Sequence, residues 1–182
     1  MTRELFQSFS ALLSYPEAGL ADQARMGARA ASFVPAAAET LSSFADLAAE
    51  VGTDIRQELY TAALDLQPLC APYVGYQLLG EDARRGRFLM KLQEIYRQNG
   101  LFQKPEMADH LSQVLQFMAT APDSMERSTL CSDGLRPALE KMAAAFPEGE
   151  NPYGRLIKAL QTCLETAPPA PAVGAPKEVA HA

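Results

Sequence analysis

Few residues in this chain could do chemistry. It holds two histidines, His110 and His181, three cysteines, Cys70, Cys131 and Cys163, and 22 acidic residues. One stretch gathers the useful types, Glu106-Met107-Ala108-Asp109-His110, where carboxylates beside an imidazole could move a proton or hold a metal. A helical metal site of that kind needs further histidines, and the one remaining histidine cannot complete it. The cysteines are widely separated and lack a Cys-x-x-Cys pair, so they read as small apolar residues of a reducing compartment. No phosphate loop, dinucleotide fingerprint or nucleophile elbow is present. A small hydrolase or nucleotide-binding enzyme using Asp109 and His110 with Glu106 therefore stands as a secondary reading. The plainer one is that Asp109 caps the helix that starts beside it while His110 packs or caps. No catalytic residue, metal or cofactor is assigned.

The elements that must position this stretch are helices. Hydrophobic residues make up 48% of the 182 and charged residues 21%, the balance of a folded soluble domain. Ala and Leu dominate and β-branched residues are scarce, which favours helix over strand. Leu5, Phe6, Phe9, Leu12 and Leu13 recur at helical spacing until Tyr15-Pro16 stops them. Helices follow over 17–32, from Pro35 to a stop at Gly52, and around Ile55, Leu59, Tyr60 and Ala63. From Asp65 to Glu81 the periodicity fails, and this span reads as an ordered connection carrying Tyr73 and Tyr76. The strongest stripe is Phe88, Leu89, Leu92, Ile95 and Tyr96, closed by Gly100 where a left-handed residue is needed. Further stripes run through Leu111, Val114, Leu115 and Met118, through Leu135, Leu139, Met142 and Phe146, and from Asn151-Pro152 through Leu164. The expectation is an all-α, compact single-domain bundle of about seven or eight helices over 1–166, with a disordered Pro/Ala-rich tail over 167–182.

The formal charge of −6 and the absence of a basic block exclude nucleic acid as a natural partner. No stretch approaches the roughly 20 apolar residues that span a bilayer. The N-terminus enters an amphipathic pattern directly, so a cytoplasmic location without stable membrane insertion is expected.

The segment from Glu58 to Ala119 resembles the TorD/DmsD/NarJ family of molybdoenzyme maturation chaperones. The matching pieces are Glu58-Leu59-Tyr60 through Asp65, Pro72-Tyr73-Val74-Gly75-Tyr76 with Gly80-Glu81-Asp82, and Arg85-Gly86-Arg87-Phe88-Leu89-Met90. Glu106-Met107-Ala108-Asp109-His110-Leu111 is similar to the family's E-x-P-D-H-L signature, with Ala108 in place of proline. The Arg-Gly step is closest to the NarJ branch, named after the nitrate reductase delta subunit.

The resemblance implies an all-helical protein without turnover. It would bind the N-terminal peptide, twin-arginine or vestigial, of a molybdopterin oxidoreductase catalytic subunit, and assist cofactor insertion before export or membrane docking. Cofactor-insertion proteins are further implied partners. Tyr60, Tyr73 and Tyr76 would give amphipathic contact area, or else serve as core aromatics. Glu106 and Asp109, with His110 alongside and Glu81 and Asp82 nearby, would meet the peptide's arginines; Glu81 and Asp82 read more simply as solvated surface. Met107 could line an adaptable groove, whereas the helical spacing of Met90 and Met118 points to the core.

Overall fold

A computed structural model describes residues 3–65, 70–101, 105–147 and 151–167. Ten α-helical segments follow in order: α1 Arg3–Leu12, α2 Leu20–Ala30, α3 Pro35–Glu50, α4 Thr53–Tyr60, α5 Val74–Leu79, α6 Arg84–Gln98, α7 Leu111–Thr120, α8 Met125–Thr129, α9 Arg136–Ala144 and α10 Pro152–Thr166. Two π-helical stretches, Thr61–Asp65 and Leu130–Leu135, continue α4 and join α8 to α9. The described residues thus form nine continuous helical rods and no strand, an all-α architecture. Of the expected tail, Ala167 is buried, and 168–182, with His181, lie outside the described residues.

Helix α7 sits at the centre because it is apolar nearly all round: Leu111, Val114, Leu115, Phe117 and Met118 are buried, as are Ser112 and Gln113. A helix without a polar face has to be enclosed. Helix α1 packs between α7 and α2, α2 lies on α3, and α10 bridges α3 and α9. Phe9 and Leu12 of α1 and Leu156 and Leu160 of α10 are wholly buried in the same core. Two helices start as their sequences suggest, with Pro35 and Pro152 in the first turn, where proline's missing N–H costs nothing. Asn151 Oδ1 accepts the Tyr153 N–H at 2.8 Å. Asn151→Ala is expected to lower stability by about 1 kcal/mol, read from a shifted denaturant midpoint with an unchanged slope.

Some expectations need correction. The span 65–81 contains α5, whose six residues are too few for a 3.6 period to show; Gly80, at φ 63, ends it as a left-handed residue that glycine alone adopts freely. The second helix starts at Leu20, after Gly19 at φ 83, and α3 stops two residues before Gly52. Met90 is 70% exposed, since it lies two positions from the inward-facing Leu92 and hence across the helix. Met118 is buried and Gly100 is left-handed, as expected.

Candidate functional site

The Asp109-His110 pair is anchored by a single antiparallel bridge between Tyr73 and His110. The Leu111 N–H donates to the Pro72 carbonyl at 2.7 Å, and the Val74 N–H donates to the Asp109 carbonyl at 2.8 Å. These bonds join the start of α5 to the start of α7. Tyr96 donates its hydroxyl to the Ala108 carbonyl at 2.9 Å, fixing the turn that delivers the pair.

Asp109 does not cap α7. Its side chain is fully buried and lies in the fork of Arg85, with Nε 2.9 Å from Oδ2 and Nη2 3.3 Å from Oδ1. This is the bidentate geometry that makes arginine–carboxylate pairs strong. The Arg85 Cζ also stands 5.4 Å from the Tyr73 ring centroid and 5.7 Å from that of Tyr76, within cation–π range. The cap is His110: Nδ1 accepts the Ser112 N–H at 3.3 Å and lies 2.8 Å from Ser112 Oγ, which suits the neutral tautomer with its proton on Nε2. Burial pulls the His110 pKa down to about 4.

Gly75 makes this arrangement possible. A β-carbon there would lie 2.7 Å from Asp109 Oδ2 and 2.8 Å from Phe88 Cδ1, so any side chain must displace the ion pair or the ring. Gly75→Ala is expected to cost about 1–3 kcal/mol, with a downfield or upfield shift of the Arg85 Nε–H resonance reporting a disturbed fork; an unmoved resonance would refute the close approach.

The other expected contacts are dispersed. Tyr60 is buried, edge-on to Tyr15 and Tyr153 at 5.5 and 5.4 Å between centroids, and offers no surface; burial drives its phenol upward. Tyr73 is half-buried and Tyr76 is 39% exposed. Burial first, then the charges of Glu106, Asp109 and Asp65, raise the Tyr73 phenol, with Arg85 opposing. Glu106 and Met107 are exposed next to it, and Glu81 is exposed. Asp82 is engaged by Arg84 at 3.1 Å, whose hydrogen bonds hold its carboxyl below the usual range.

A groove of about 420 Å³ opens beside this cluster, between α5, α6, α8 and the π-helical stretch. Leu78, Leu79, Phe88, Leu92, Met125 and Leu130 line it, and Lys91, Glu126 and Asp133 edge it. Phe88 is the seam, facing the groove and abutting the Asp109 side of Gly75. The π-helical turn puts Leu130 beside Gly134, where a β-carbon would come within 3.0 Å of Leu130 Cδ1. Glu126 has its carboxyl held low by a backbone N–H and the Ser124 hydroxyl. No group of three potential metal-ligating side chains occurs among the described residues, and none of the described helices is long and apolar enough to cross a membrane.

Residues 29–156 match the model of the family described as nitrate reductase delta subunit. The chain belongs to that family. The nitrate reductase delta subunit family places it with the NarJ-like maturation chaperones of molybdoenzymes. Over 128 residues it is 27% identical to a Bacillus subtilis protein named as a nitrate reductase molybdenum cofactor assembly chaperone, NarJ, covering 70% of this chain and 68% of that one. A crystal structure of a protein from Archaeoglobus fulgidus, assigned to redox enzyme maturation, superposes with a TM-score of 0.64 at 23% identity, covering 91% of this chain and 94% of the other; that likeness speaks for the fold.

For this member of the family, the structure brings Tyr73, Tyr76, Asp109 and His110 together, leaves Glu106 at their edge, and puts Tyr60 in the core. The sequence alone does not single out Arg85, Gly75 or the groove residues as site residues. The available signal was Arg84-Arg85 followed by Phe88-Leu89, a charged step running into apolar residues.

Proposed function

We propose that the chain holds the N-terminal peptide, twin-arginine or vestigial, of a molybdopterin oxidoreductase catalytic subunit in the cytoplasm. It does so while molybdenum cofactor is inserted and before export or membrane docking. The observation that carries this reading is the apolar groove with Glu126 and Asp133 at its rim. Such a leader has a cationic start and an apolar stretch, and its receptor needs an apolar trough next to carboxylates. The groove supplies the trough; Glu106 and the net charge of −6 add to the attraction for a basic peptide.

The enzymatic reading is not favoured. Asp109 is buried against Arg85, and His110 is 2% exposed with Nδ1 occupied, so neither meets a substrate in this arrangement.

Leu79→Glu puts a charge into the groove wall from a half-buried position, where an unpaired carboxylate resists desolvation. In calorimetric titration with the leader peptide of a molybdoenzyme encoded nearby, this variant is expected to lose at least about tenfold in affinity, roughly 1.4 kcal/mol. Its melting temperature should stay near that of the parent chain. Equal affinity for both chains would remove the groove from the site.

A further inference from the structure

Asp109 is a carboxylate with no solvent exposure, and the cation in its fork comes from a residue 24 positions away whose side chain remains 20% exposed. The Cζ of that cation lies over the Tyr73 and Tyr76 rings, 5.4 and 5.7 Å from their centroids. A carboxylate that accepts such a fork beside aromatic rings selects a guanidinium over an ammonium, because two parallel N–H···O bonds need the planar group, while the rings attract its charge. Carboxylates gather around it. Glu106, Asp109 and Asp65 all act on Tyr73 with Arg85 opposing them, and among the described residues neither Glu106 nor Asp65 forms an ion pair.

The segment that fills the fork also has an informative order. Arg84-Arg85-Gly86-Arg87 leads into Phe88-Leu89-Met90: Arg85 occupies Asp109 while Phe88, three residues on, lines the groove. A cationic start followed by apolar residues is also the order of the leader proposed above as ligand. The chain's own α6 therefore covers both halves of the site with side chains of the types a leader would bring.

We infer that Asp109, Tyr73 and Tyr76 form a guanidinium-binding site, that Arg85 is its resident occupant, and that an arginine of the bound leader takes its place. The last step rests on the chaperone reading; the guanidinium site does not. Arg85 is at the first turn of α6 with part of its side chain in water, so it can leave the fork without unpacking the core. A ligand that must wait for that departure binds with an affinity reduced by the fraction of time the fork stands open. Peptides lacking a guanidinium would gain nothing from the opening.

The test uses the full chain as Arg85→Ala and Arg85→Lys, melted with ethylguanidinium chloride or ethylammonium chloride at equal tens-of-millimolar concentration. Ethylguanidinium is expected to raise the melting temperature of a folded variant by several degrees, ethylammonium to do no more than salt, and the parent chain to respond to neither. Arg85→Lys keeps a charge against Asp109 and covers the case in which the alanine chain does not fold. Equal responses to the two cations in every folded variant would overturn the site.

Takeover is read by titrating the parent and Arg85→Lys chains with a synthetic peptide of residues 82–92, and with its copy carrying lysine at each arginine. The arginine peptide should bind Arg85→Lys at least about tenfold tighter than the parent, and the lysine peptide should show no such gain. Equal or weaker binding of the arginine peptide overturns takeover. If neither chain binds any leader peptide while the selective response to ethylguanidinium persists, the chaperone reading fails and the guanidinium site stands.

Discussion

Arg85→Ala is expected to lower folding stability by about 3–5 kcal/mol, a large share of what holds a domain of this size together. The loss comes mainly from what remains. Asp109 is wholly buried, and its carboxylate would keep its desolvation cost without the fork that offsets it. The reverse change, Asp109→Asn, leaves an arginine that is already 20% exposed and can turn to water, so it should cost clearly less. Urea unfolding of the two single variants and the double variant measures this asymmetry, and the double variant should be more stable than Arg85→Ala alone. If Arg85→Ala proves milder than Asp109→Asn, water reaches Asp109 and the buried-charge account is wrong.

The same pair shows what sequence could and could not disclose. The stripes of α1, α6, α7 and α10 were readable because each is long enough to repeat its apolar face, and Leu92, Ile95 and Tyr96 are buried as that periodicity requires. The bridge between Tyr73 and His110 joins segments far apart in the chain, and local patterning carries no trace of such a contact. Helix α5 was hidden by its length. Asp109 looked like a cap because an acid before an apolar run usually is one, and it became the partner of Arg85 because Gly75 opens the space for that fork. His110, one residue later, caps in its stead. The groove is invisible in the sequence for another reason: its wall joins α5, α6, α8 and a π-helical turn from separate parts of the chain, and local patterning does not say which helix faces meet.

His110 should make the protein's stability depend on pH in a window of its own. Burial holds its pKa at about 4 in the folded chain, against an ordinary value of 6.5. Between those values the unfolded chain binds a proton that the folded chain refuses, so stability is complete above about pH 6.5 and falls as the pH drops toward 4. The full effect is roughly 3 kcal/mol. Protonation would also remove the acceptor that Nδ1 offers the Ser112 N–H, and with it the cap of the central helix. Carboxyls held low, such as Asp82, Glu94 and Glu126, have ordinary values of 3.8, 4.5 and 4.5 and withdraw their contributions mainly below that window. Denaturant midpoints measured from pH 7.5 to 4.5 should therefore decline in the parent chain. They should stay nearly level in His110→Asn, whose side chain can still cap but does not titrate. A decline of the same steepness in both chains would place the acid sensitivity elsewhere and leave His110 accessible to protons in the folded state.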